Sequence, residues 1–161
     1  MTDLHNIPLN ERYFEDYREG EVLECGPVIV EREEVMAFAR RYDPQAFHVD
    51  PAAATQSVFG GLIASGWHTA ALMMRLLVDN YISHVASLSS PGVDELRWLA
   101  PVRPGDALSV RARVVEARAS RSKPDRGVLR TQIEVLNQEN TVVMSLLATN
   151  LIACRPEPNK P

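Results

Sequence analysis

One segment limits what this chain can fold into more than any other. From Ala64 to Ile82 it reads ASGWHTAALMMRLLVDNYI. Wound as a helix, Trp67, Ala70, Ala71, Leu72, Met73, Met74, Leu76, Leu77, Val78, Tyr81 and Ile82 cover most of the circumference. A helix apolar nearly all round must be wrapped by other elements or lie in a membrane. A membrane span needs about 20 mostly apolar residues. His68, Arg75 and Asp79 interrupt this run, so the expectation is a buried helix from Ser65 to Ile82 and no membrane association.

The second half of the chain supplies the wrapping. Leu108, Val110, Ala112 and Val114 alternate with Ser109, Arg111 and Arg113, and Leu129, Thr131, Ile133 and Val135 alternate with Arg130, Gln132 and Glu134. Period two with one polar face marks antiparallel strands over a core. Gly92–Leu99 reads as a short strand. Thr141–Ala153, apolar on both faces over part of its length, reads as a central one. Asn137–Asn140 reads as the hairpin loop before it.

The first half gives one more strand, Val22–Val30. Gly26-Pro27 interrupts it, which suits an edge or a bulge. Arg32–Tyr42 follows as an amphipathic helix that Pro44 stops near Asp43. Asp43–Gly61 is a long connection with a short helical turn expected after Asp50-Pro51, because Asp caps and Pro suits the first helical position.

One strand, a helical insert and four strands give class α+β: a single antiparallel sheet around a long central helix. At 161 residues one domain is expected, with residues 1–20 an irregular arm, 21–154 the folded unit and 155–161 a Pro-rich tail. The 45% hydrophobic content excludes disorder, and the net charge of -4 argues against nucleic acid as a partner. Cys25 and Cys154 cannot make a disulfide framework and read as reduced thiols of a cytoplasmic protein. The polar, acidic N-terminus lacks the apolar stretch of a signal peptide.

The segment YDPQAFHVD, Tyr42–Asp50, places Asp43 and His48 in one loop. A carboxylate and an imidazole that converge can manage a proton near pH 7. The plain alternative is that Asp43 caps a helix end and His48 packs in the loop; Asp50 reads as the cap of the next turn. In FGGLIASGWHT, Phe59–Thr69, Gly66 opens the long helix with an unshielded N–H at the positive end of the dipole. That N–H could hold a carbonyl oxygen on which charge develops, or the glycine could merely allow close packing. His68, one turn into an apolar helix, reads as a satisfied core histidine outside the catalytic set. Nothing in the pattern calls for a cofactor or a metal.

These residues carry a resemblance. Asp43-Pro44-Gln45-Ala46-Phe47-His48-Val49-Asp50 resembles the D-x-N-P-x-H-x-D motif of the MaoC-like dehydratases, the (R)-specific enoyl-CoA hydratase group of hotdog-fold proteins. Ser65-Gly66 stands at that family's helix-opening His-Gly, and Leu96–Leu108, LRWLAPVRPGDAL, resembles its strand and turn after the central helix. The likeness runs from about Tyr13 to Ala153. It implies a hotdog domain, hydration or dehydration of a 2-enoyl-type thioester of coenzyme A or an acyl carrier, an Asp43–His48 dyad, a Gly66 oxyanion donor, and a homodimer or higher homo-oligomer. The departures are Gln45 for Asn, a displaced Pro, and Ser65 for His. They keep two other readings in view: a thioesterase on the same fold, and a non-catalytic acyl-thioester-binding protein.

Overall fold

The structure, a computed structural model, describes residues 3–157. Five strands, β1 (Val22–Ile29), β2 (Ser87–Trp98), β3 (Ala107–Ala119), β4 (Arg126–Leu136) and β5 (Val142–Ala153), form one sheet in the order β1-β3-β4-β5-β2. Every neighbouring pair is antiparallel. Between β1 and β2 lie α1 (Arg32–Tyr42), α2 (Ala46–Val49), α3 (Pro51–Gln56) and α4 (Gly66–Asn80). This is the hotdog arrangement, a sheet curled over a long helix.

Period two in β3 and β4 does what it predicts. Leu108, Val110, Ala112 and Val114, and Leu129, Thr131, Ile133 and Val135, all face inward and are buried. There they meet Leu72, Met73, Leu76 and Leu77 of α4 in one core. Thr131 is the polar member of that face, and its hydroxyl is satisfied by the Tyr81 hydroxyl at 2.9 Å. β1 is an edge strand whose register slips between Cys25 and Val28. Gly26 at the slip has φ +114°, a backbone conformation that glycine tolerates and L side chains rarely adopt.

Two expectations need correcting. First, α4 is not wrapped all round. His68, Thr69, Leu72, Met73, Leu76 and Leu77 face the core, while Trp67, Ala71, Met74 and Val78 form an exposed stripe at helical spacing. One sheet can cover only one side of a helix. Second, the strand read as Gly92–Leu99 begins at Ser87. Ser and Pro91 mask it in the sequence, and an edge position tolerates both because it leaves one side unpaired. The reading of β5 as central rather than an edge holds, since β4 and β2 flank it on both sides.

The first twenty residues carry two 3-10 turns, Leu4–Asn6 and Phe14–Asp16. They lie across the end of α4. The buried Arg12 guanidinium donates to the carbonyls of Asn80 at 2.8 Å, Tyr81 at 3.2 Å, Leu4 at 2.8 Å and Ile7 at 2.7 Å. It thus serves helix-end carbonyls that have no partner within the helix. Tyr17 donates to the Tyr81 carbonyl at 2.9 Å, and burial pushes its phenol up to about 12. Of the expected extended tail, residues 155–157 are irregular, and Arg155 pairs with Asp16 at 2.7 Å. Residues 158–161 lie outside the described residues. Among the described residues no helix is long and apolar enough to cross a membrane.

Candidate functional site

The site is built where the helical insert meets the start of α4. α1 carries Glu33 and Glu34 in its first turn and Arg40 and Arg41 in its last, both suited to the helix dipole. It ends at Asp43, whose N–H closes on the Ala39 carbonyl at 2.8 Å. Pro44 disfavours helical geometry at Asp43, and Gln45, with extended backbone, is the N-cap of α2. His48 therefore sits in a short helical turn and not in the open loop that the sequence suggested. Four residues are too few for periodicity to reveal. α3 follows as expected: the Asp50 carboxylate accepts from the N–H groups of Ala52 at 2.9 Å and Ala53 at 3.1 Å.

Asp43 and His48 converge. His48 Nε2 lies 3.3 Å from Asp43 Oδ2. The other ring nitrogen, Nδ1, lies 2.8 Å from the Ile63 carbonyl oxygen. A carbonyl can only accept, so Nδ1 carries a proton, and in the neutral ring Nε2 presents its lone pair. His48 is 5% exposed, so its ring is fixed by burial as well as by this bond.

Both carboxylate oxygens of Asp43 are held. Gln45 Nε2 donates to Oδ1 at 2.7 Å, and Ser65 Oγ donates to Oδ2 at 2.7 Å. Together they hold the carboxyl below the ordinary carboxylate value. The Gln45 bond is the largest cause; Ser65 and the nearby His48 add to it against a partial loss of solvation. Gln45 and Ser65, two of the three departures read from the sequence, are therefore the residues that hold the Asp43 carboxylate.

Ser65 is also the N-cap of α4, its Oγ accepting the Trp67 N–H at 3.3 Å. Gly66, the first helical residue, has an N–H that the helix itself cannot satisfy. Asp43, Gln45, His48 and Gly66 all line one cavity of about 460 Å³, walled also by Ile63, Trp98, Leu99 and Pro101. That volume lies within the range of small-molecule sites. The structural alternative for Gly66 holds at the same time, because a Cβ there would run into the Trp98 indole.

His68 belongs to neither the cavity lining nor a hydrogen-bonded core. It is 2% exposed, and neither ring nitrogen has a hydrogen-bond partner. Its ring stacks on Phe38 of α1, with centroids 4.9 Å apart and planes at 16°. Glu34 comes no closer than 3.9 Å. The reading of His68 as a core residue holds; its being satisfied there does not. Among the described residues no group of three or more His, Cys, Asp or Glu is placed to hold a metal ion.

Comparison with known proteins bears on the same segment. The family model described as "MaoC like domain" matches residues 16–136, which include α1 through β4 and every residue of the site. The chain belongs to the MaoC-like domain family. This MaoC-like domain is similar to the MaoC-like dehydratase from Rhodospirillum rubrum, at 41% identity and a TM-score of 0.84 over 90% of this chain and 99% of that one. It is similar to the uncharacterized protein YdeM of Bacillus subtilis, at 26% identity over 80% of this chain and 90% of that protein. It shares its fold with the (R)-hydratase from A. caviae involved in PHA biosynthesis, at 20% identity and a TM-score of 0.70 over 88% of this chain and 99% of that one.

Proposed function

We propose that this MaoC-like domain is a hydratase/dehydratase that interconverts a 2-enoyl thioester of coenzyme A or an acyl carrier with its (R)-3-hydroxyacyl thioester. The observation that carries the reading is the convergence of the Asp43–His48 pair and Gly66 on one cavity. The helix-opening N–H of Gly66 donates to the thioester carbonyl oxygen. The Asp43 carboxylate and the bare Nε2 of His48 accept the two hydrogens of one water and turn its lone pair toward the β-carbon.

As the water oxygen bonds to the β-carbon, one of its protons passes to His48 Nε2. The π electrons move toward the thioester oxygen, where the Gly66 N–H and the helix dipole stabilise the negative charge. Asp43, held ionised by Gln45 and Ser65, stabilises the imidazolium. The proton on Nε2 then passes to the α-carbon, so water is added and the dyad is restored. Dehydration follows the same steps in reverse. The α4 stripe of Trp67, Ala71, Met74 and Val78 and the exposed edge strand β2 support a homodimer or higher homo-oligomer as the working form. Sedimentation equilibrium giving only a monomer at assay concentration contradicts that part.

The test is incubation of the purified protein with a panel of enoyl-CoA thioesters, following loss of the conjugated thioester and release of free thiol together. Loss of conjugation without thiol supports the reading. Thiol release assigns a thioesterase, and no change on any substrate leaves the acyl-binding alternative.

A further inference from the structure

Both tryptophans of the chain lie at this cavity. Trp98, the last residue of β2, is fixed in register opposite Met144 of β5, and the next N–H, of Leu99, donates to the Val143 carbonyl at 2.8 Å. Its indole projects onto α4 at Gly66. The position that a Cβ of Gly66 would occupy lies 2.7 Å from Cδ2 of the indole and closer still to Nε1 and Cε2. Trp67 meets the ring edge-on, with centroids 5.0 Å apart and planes at 79°. The indole is thus held from two sides, yet remains 46% exposed. A large aromatic surface held rigid and left open beside a cavity is suited to contact a ligand.

We infer, on the reading given above, that Trp98 is a specificity-determining residue that limits the acyl part of the substrate to short chains. Gly66 fixes the thioester carbonyl, so acyl carbons beyond the β-carbon leave it beside the residue packed on Gly66. Trp98 fills that space with the largest side chain available. Its hold on the glycine leaves no low-cost way to swing inward, because Gly66 presents backbone and not a flexible side chain. A longer chain must displace the indole and lose its contacts with Gly66 and Trp67. The remaining wall there, Leu99 and Pro101, is also apolar, so removing the ring opens apolar volume that a longer chain can use.

The two tryptophans also supply the readout, since both line this cavity, and the titration is run at a fixed protein concentration at which the oligomeric state does not change. Binding of butyryl-CoA and octanoyl-CoA, neither of which can be hydrated, is titrated against the wild type, Trp98→Ala and Trp98→Phe. Trp67 remains as reporter in the variants, and circular dichroism checks their fold. The wild type is expected to favour butyryl-CoA. In Trp98→Ala the ratio of affinities is expected to move toward octanoyl-CoA by about tenfold or more, the scale at which a pocket discriminates added methylenes. Trp98→Phe, which keeps a ring on Gly66, is expected to fall between and serves if the Ala variant does not fold. An unchanged ratio in a folded variant, or equal affinity of the wild type for both ligands, overturns the inference. Chain-length selection without turnover on any enoyl-CoA leaves it standing and removes the hydratase reading instead.

Discussion

Ser65 donates to Asp43 Oδ2 at 2.7 Å while accepting the Trp67 N–H at 3.3 Å. One hydroxyl therefore caps the long helix and holds the carboxylate beside His48. Fold and site share a hydroxyl, so a change at Ser65 is felt in both.

Ser65→Ala removes the cap and the grip together. The expected loss of stability is about 1 kcal/mol, the ordinary cost of an N-cap, read as a lower urea midpoint at unchanged slope. Turnover is expected to fall by about tenfold because Asp43 is free to turn away from His48. Ser65→Thr keeps the hydroxyl and is expected to retain most of both. Loss of stability with full activity contradicts the shared role.

The Asp43 carboxyl sits below its ordinary value chiefly because of Gln45. A carboxylate depressed in the folded state contributes stability that is present above its unfolded value and lost as pH falls through the folded one. Gln45→Leu removes the hydrogen bond that lowers it most, so the Asp43 titration seen by carboxyl-carbon NMR is expected to move up toward 3.8. Titration at the wild-type pH in the variant contradicts the assignment of cause.

Arg12 donates four hydrogen bonds to carbonyls while buried, with no carboxylate among the partners. Its removal strands the end of α4 and the N-terminal turns together. Arg12→Ala is expected to cost about 3 kcal/mol, the scale of lost hydrogen bonds to a charged group that leave buried carbonyls unpaired. Arg12→Lys is expected to recover only part, since an ammonium cannot reach the same fork of acceptors. Equal stability of the wild type and Arg12→Ala in denaturant titration contradicts this account of the arm.

Burial holds His68 below its ordinary 6.5, with Glu34 opposing. Between the folded value and 6.5 the unfolded chain binds more protons, so this group's contribution to stability is lost as pH falls through that window. His68→Phe keeps the stack on Phe38 and removes the titration. Between about pH 7 and about pH 5 the variant is expected to lose less melting temperature than the wild type. An equal loss in both contradicts a neutral buried His68.

Much of this was legible in the residues themselves. Alternation in β3 and β4 reads directly as burial, because period two leaves each residue one face to occupy. The apolar run of α4 shows that the helix must be covered. It does not show by what, and the stripe of Trp67, Ala71, Met74 and Val78 is left uncovered by this chain's own sheet. β2 was half hidden because edge strands need not look like strands. At the site, the spacing of Asp43 and His48 was visible, as was the glycine at the helix start. The grip of Ser65 on Asp43 was not, because 22 residues separate them and no local pattern encodes that contact. Gln45 was visible as a change of residue type but not as a donor, since side-chain direction depends on the backbone that Pro44 imposes. The helical turn around His48 spans four residues, barely one helical period, so no repeat exists to be read.

The hydration rate of a short enoyl-CoA by the wild type, Asp43→Asn and His48→Ala, each checked for folding, tests whether Asp43 and His48 act on one water beside Gly66. Each substitution is expected to lower kcat by about 10²- to 10⁴-fold, the range for a positioned acid–base group. Turnover unchanged in either folded variant contradicts that residue's role, and unchanged turnover in both contradicts the site.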